Sequence, residues 1–254
     1  MGTLDVDSPR PHVARLTISN PAKRNALDRP ILDALAETLP ALDARCVLLT
    51  GAGDIFSAGY DIGDLAPDRL AEEAAELVAH PFQNALEALD AVEVPVVAAL
   101  NGHAIGGGLE LAMACDLRVA AAGARMGMPP GRLGLVYSHT GIRRFLDAVG
   151  AARTRELFLT ARLIDAETAL SWGLVNDVVP RDSLAARGVA MAADVAALAP
   201  LAQRGNKRVL RDLLAGGVDE DELAGLREAA FRSEDFAEGV RAFVEKRAPE
   251  WKGR

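Results

Sequence analysis

Glu110 sits in "NGHAIGGGLELA", residues 101–112, as a single carboxylate among apolar residues directly behind three glycines. The residues after Gly106 have the make-up of a buried helix. A helix start leaves backbone N–H groups without internal partners, and the helix dipole makes that end locally positive. Glycines at such a start let a ligand atom approach the main chain closely. This is chemistry for an anion. No Gly-Lys-Ser/Thr follows, so the segment is not a nucleotide phosphate loop, and the Gly-x-Gly-x-x-Gly dinucleotide pattern fails at Leu111. A developing oxyanion on a bound carbonyl fits. A second reading stands beside it: glycines that only let a helix pack tightly against a strand.

A second glycine segment tips the balance toward the anion. "DIFSAGYDIGDL", residues 54–65, follows a short apolar run and offers N–H groups around Gly59 and Tyr60. Two such loops can each donate one hydrogen bond to the same oxygen. The histidines show no metal-ligand spacing, so no metal is expected. Ser57 and Ser138 lack the Gly-x-Ser-x-Gly setting of a nucleophile, so a covalent serine is not expected.

The elements that must hold these loops follow from periodicity. Residues 12–19 alternate and are β-branched, which predicts a strand. Asp28 is a good N-cap, Pro30 suits a first turn, and Ile31, Leu32, Leu35 and Leu39 form one apolar stripe, which predicts a helix. "CVLLTG", "VPVVAALNG" and "DLRVAAAG" read as buried strands, and residues 52–65 as a loop. Residues 68–90 read as a helix with a break at Pro81. Residues 165–180 predict a capped helix ending at Gly173 and then a short strand. Beyond Asp182 the pattern is helical, and Ser233 is a candidate cap. Buried strands alternating with helices predict an α/β layered domain, with residues 1–195 as its core and 196–254 as a helical region.

The chain has 254 residues and a formal net charge of -8, which disfavours nucleic acid as a general partner. Cys46 and Cys115 lie in apolar runs and are expected to be reduced core residues. No secretory leader or membrane span is expected, because the most apolar stretch is interrupted by Pro95, Asn101, His103, glycines and Glu110. These features together predict a cytoplasmic protein.

The pair "FSAGYDI" (56–62) and "NGHAIGGGLELAMACDLRVA" (101–120) resembles the enoyl-CoA hydratase/isomerase, or crotonase, superfamily. "NPAKRNAL" (20–27), "GIRRF" (141–145), "ARLIDAETALSWGLVNDVV" (161–179) and "EDFAEGVRAFVEKRAPEWKG" (234–253) extend the likeness through the chain in the family's order. The resemblance implies a spiral of β-β-α repeats with a C-terminal helical region that forms trimers or dimers of trimers. It implies an acyl-CoA thioester as ligand and no separate cofactor. By position, the main-chain N–H groups of Tyr60 and Gly107 form the oxyanion hole. Ala58, Asp61 and Ile62 line the adenine pocket, Lys23, Arg24 and Ala26 lie near the CoA entrance, and Lys252 reaches a CoA phosphate, from a neighbouring subunit in one arrangement.

The chain departs from the family's hydratases at one place. They use two carboxylates; the first matches Glu110, and the second falls at Pro130 in "GMPPGRLG". Proline transfers no proton. Losing one positioned proton-transfer group costs about 10²–10⁴ in rate. Decarboxylation of a malonyl-type thioester needs an enolate site but no base, because the departing carboxylate supplies the electron pair. "PPGRLGLVYS" (129–138) is similar to the same segment of methylmalonyl-CoA decarboxylases, with Tyr137 in the tyrosine's place. Decarboxylation is therefore the first expectation, with Tyr137 and Glu110 as its polar groups and His139 as a pocket residue. An atypical hydratase relying on Glu110 is the alternative, and an inactive acyl-CoA-binding protein the third.

Overall fold

The computed structural model describes residues 1–61, 68, 69, 72, 73, 76 and 78–254. Strands β1 (Thr3–Arg10), β2 (Val13–Ser19), β3 (Cys46–Gly51), β4 (Val96–Leu100), β6 (Leu117–Ala121) and β9 (Asp177–Val179) form one sheet in the order β1-β2-β3-β4-β6-β9. Only the β1–β2 pair is antiparallel; the remaining neighbours run parallel. A smaller sheet joins β5 (Ala104–Ile105), β7 (Arg125–Gly127) and β8 (Ile164–Asp165).

The central strands are apolar on both faces because both faces are covered. Val47, Leu49, Val96, Ala98 and Leu100 point into the larger core, with Ile31, Leu32 and Leu35 of helix α1 (Arg29–Thr38) and Leu86 and Leu89 of α2 (Gln83–Ala91). The alternate residues Cys46, Leu48, Val97, Ala99 and Val119 face a second core with Leu184, Ala192 and Ala196. Those three belong to α6 (Arg181–Ala196), the helix laid across that face. The period of two in a strand thus sorts one apolar run into two cores. Both cysteines are free and buried, and burial pushes each thiol up to about 12.

Local chemistry explains the helix limits. The Asp28 carboxylate accepts from the Ile31 N–H at the start of α1, as its type suggests. Asp165 caps α5 (Ala166–Trp172), which stops at left-handed Gly173. Helix α3 (Gly107–Met113) is buried along its whole length. Helix α4 (His139–Thr160) is broken at Gly150. Helices α7 (Pro200–Ala215), α8 (Glu220–Phe231) and α9 (Glu234–Glu245) make up the C-terminal region, with Ser233 capping α9.

The break expected at Pro81 is present: a π-helical turn, Val78–Phe82, carries that residue and leads into α2, while residues 62–67, 70, 71, 74, 75 and 77 lie outside the described residues. Strand β1 and the short strands β5, β7 and β8 go beyond the sequence reading. The architecture is otherwise the expected α/β, crotonase-like spiral with a C-terminal helical bundle. Among the described residues no single helix is long and apolar enough to cross a membrane.

Candidate active site

The two glycine segments run side by side. Phe56 and Ser57 N–H groups donate to the His103 carbonyl, both at 3.1 Å, and the Ile105 N–H donates to the Ser57 carbonyl at 3.1 Å. One residue further on, the Leu27 N–H donates to the Gly59 carbonyl at 2.7 Å and the Asp61 N–H to the Leu27 carbonyl at 3.1 Å. That parallel bridge uses the groups flanking Tyr60 and turns the N–H of Tyr60 away from Leu27. Gly107 is the first residue of α3, so its N–H has no intrahelical acceptor. Among the described residues neither amide is given a partner.

Close contact at this crossing requires glycine. Gly59 has φ +97°, and a Cβ there would stand 2.8 Å from the Ile105 carbonyl oxygen and 3.4 Å from the Gly107 nitrogen. A Cβ on Gly108 would stand 2.7 Å from the Ser57 carbonyl oxygen. Backbone lies against backbone: the glycines permit tight packing, and the packing brings the Tyr60 and Gly107 segments together.

One turn into α3, Glu110 is 1% exposed. The Tyr137 hydroxyl donates to Glu110 Oε2. Burial raises the Glu110 pKa above its ordinary value, with the Tyr137 hydrogen bond and the Arg144 charge pulling the other way. Both nearby phenols are pushed up, first by burial and then by the negative charge around them, so each is a neutral donor at neutral pH. The Tyr60 and Tyr137 hydroxyls lie 3.4 Å apart. Behind Glu110, Arg144 grips Asp90 with two bonds of 2.9 and 2.6 Å. Sequence reasoning missed this pair; the signal was the double arginine of "GIRRF".

Of the remaining candidates, those at 23–26 meet those at 58–61, and the others stand apart. Pro130 is buried and opens a 3-10 turn, Pro130–Leu133. Lys23 Nζ and Asp61 Oδ2 form an ion pair at 2.6 Å, so two residues read separately act on each other. Arg24 is exposed, with its carbonyl accepting from the Ala58 N–H at 3.1 Å, and Ala26 is buried. Ile62 lies outside the described residues. His139 is exposed on the first turn of α4, and no hydrogen bond or ion pair among the described residues joins it to Glu110 or Tyr137; capping by Ser138 fixes the turn and leaves the imidazole toward solvent. Lys252 is paired with Glu234 at 3.1 Å in the C-terminal region of its own chain. His103 is a structural acceptor, its Nδ1 taking the Arg125 N–H at 3.0 Å. No group of three His, Cys, Asp or Glu among the described residues could hold a metal ion.

The chain is similar to known proteins over nearly its whole length. Residues 10–254 match the family described as enoyl-CoA hydratase/isomerase. A probable enoyl-CoA hydratase of Mycobacterium leprae is 38% identical, over 95% of this chain and 96% of the relative. The 2,3-dehydroadipyl-CoA hydratase of Escherichia coli is 35% identical, over 95% and 96%. The crystal structure of a putative enoyl-CoA hydratase/isomerase family protein from Hyphomonas neptunium superposes with a TM-score of 0.92 at 35% identity, covering 99% of this chain and 98% of that one. The expected local tie to methylmalonyl-CoA decarboxylases has no counterpart among these relatives, whose names point to hydration. With two glycine segments joined at the main chain, a buried carboxylate beside them and a match over nearly its full length, the chain belongs to the enoyl-CoA hydratase/isomerase family, the crotonase superfamily of acyl-CoA enzymes.

Proposed function

We propose that the chain adds water across the double bond of an α,β-unsaturated acyl-CoA thioester. The observation that carries this reading is the buried Glu110 carboxylate, held by Tyr137, one helical turn from the Gly107 N–H, which has no partner among the described residues. The names of the relatives support it. In this reading the thioester oxygen accepts from the Tyr60 and Gly107 N–H groups. As the water oxygen bonds to the β-carbon, the double-bond electrons move onto the thioester oxygen, and Glu110 takes the water's proton. The enolate then collapses, and Glu110 returns that proton to the α-carbon. A carboxylate whose pKa is raised by burial is a stronger base toward the water's proton. The two N–H donors hold charge where it develops, each contributing about 10²–10³ in rate. Tyr137, a neutral phenol, fixes the carboxylate's orientation.

Around this centre Ala58, Asp61 and Ile62 are assigned to the adenine, Lys23, Arg24 and Ala26 to the CoA entrance, and Lys252 to a phosphate, in a neighbouring subunit's site. Residues 1–195 form the catalytic core and 196–254 the assembly region of a homotrimer or a dimer of trimers.

A second reading is favoured by Pro130, which leaves one carboxylate where hydratases use two. In it the bond from the α-carbon to the carboxylate of a malonyl-type thioester breaks, CO₂ leaves, the electron pair passes to the thioester oxygen, and the α-carbon is protonated from the Glu110–Tyr137 pair. One experiment separates the two. The purified chain is mixed with crotonyl-CoA, and separately with malonyl-CoA and methylmalonyl-CoA, and products are followed by mass spectrometry. Hydration of crotonyl-CoA is expected. Loss of CO₂ from either dicarboxylic thioester, with crotonyl-CoA untouched, replaces hydration with decarboxylation.

A further inference from the structure

The hydration reading uses only the main chain of Tyr60, yet the Tyr60 side chain occupies the same site. Three of its ring atoms, Cε1, Cδ1 and Cζ, lie 2.7–3.0 Å from where a Cβ on Gly107 would stand, so the ring sits directly over that residue. The ring is braced edge-on against Phe82, with centroids 4.7 Å apart. The Tyr137 ring is braced in the same way on Phe158, at 5.5 Å. Tyr137 has one hydroxyl proton and gives it to Glu110. The Tyr60 hydroxyl stands 3.4 Å from that of Tyr137 and also bears on the Glu110 carboxylate. The result is a cluster of Tyr60, Tyr137 and Glu110, with each phenol anchored on a different aromatic wall.

In the acyl-CoA reading this cluster lies on the path of the acyl carbons. A thioester whose oxygen rests on the N–H groups of residues 60 and 107, with its reacting carbons beside Glu110, has to pass the Tyr60 ring and the joined hydroxyls. A short acyl group stops at that closure; a long one has to open it. We propose that the Tyr60 side chain is a specificity-determining residue that closes the acyl site together with Tyr137 and restricts it to short acyl groups. This rests on the acyl-CoA reading but not on which reaction follows binding.

The test uses saturated thioesters, which neither hydration nor decarboxylation consumes. Butyryl-CoA and octanoyl-CoA are titrated calorimetrically into the full chain and into Tyr60→Ala and Tyr60→Leu variants. The wild type is expected to gain no affinity from the longer chain. Both variants are expected to raise the octanoyl-to-butyryl affinity ratio by about tenfold or more, because four methylenes moved into apolar cover suffice for that. Tyr60→Leu keeps packing against Phe82 and guards against a variant that does not fold. A ratio unchanged in both variants overturns the specificity role of Tyr60 and leaves the acyl-CoA reading standing. A wild type that binds neither ester overturns both.

Discussion

At the crossing of the glycine segments a carboxylate is 1% exposed and answered by a phenol, and the arginine behind it is held by an aspartate. Across α7–α9 the situation is inverted. Leu210, Leu213, Leu214, Phe236 and Val240 are at least half exposed, Val244 is 73% and Phe243 86% exposed, and a cavity of about 370 Å³ opens among Leu201, Phe236, Val240, Phe243 and Trp251. One region buries polar groups and supplies their partners from its own chain. The other leaves large apolar groups in water, which single chains rarely do over a contiguous area. The first is arranged as a small-ligand site; the second is the face on which the proposed homotrimer would seat a further copy of the chain.

Substitutions on the two sides sharpen the contrast. Glu110→Gln should lower turnover of the accepted thioester by about 10²–10⁴ without lowering the thermal midpoint. The amide still accepts from Tyr137 and removes a desolvated charge. Turnover equal to the wild type would place the proton transfer elsewhere. Phe243→Asp should do the reverse, leaving the folded core intact and dispersing the assembly, at a cost of about 2 kcal/mol or more per contact. Sedimentation velocity reads the outcome, and an undiminished particle size means that this face does not join copies.

The smallest effect concerns pH. The folded Glu110 pKa lies above its ordinary 4.5, burial being the largest cause, and the Tyr137 bond works against that rise. The acidic limb of kcat/KM, set by the ionised base, is expected above 4.5. Tyr137→Phe removes a bond that favours the charged form, so the limb should move further up. A limb that stays in place, or moves down, would disconnect Tyr137 from the proton chemistry.

Much of the site was legible in the sequence because it is built from main-chain geometry. Glycine at 59, 107 and 108 has few uses, and Asp28, Asp165 and Ser233 announce helix starts within three residues of where they act. What could not be read depends on pairing over long separations. The Tyr60–Tyr137 contact spans 77 positions, and Lys23–Asp61 spans 38. Strands β5 and β8 are two residues long, too short for any period to show, and exist only because β7 runs between them. Strand β1 carries mostly exposed side chains and is held by its pairing with β2, so it lacks an apolar signature. His139 follows Tyr137 closely in the chain but begins a helix and is exposed.

The crossing at Gly59 and Gly108 has a consequence for how such a chain can diverge. A methyl group at either position meets a carbonyl oxygen of the neighbouring segment, 2.8 Å away in one case and 2.7 Å in the other. At 60, 110, 130 and 137 the main chain already carries a side chain, so exchanges there change the groups around the crossing without driving main chain against main chain, whereas any side chain at 59 or 108 forces the two segments apart.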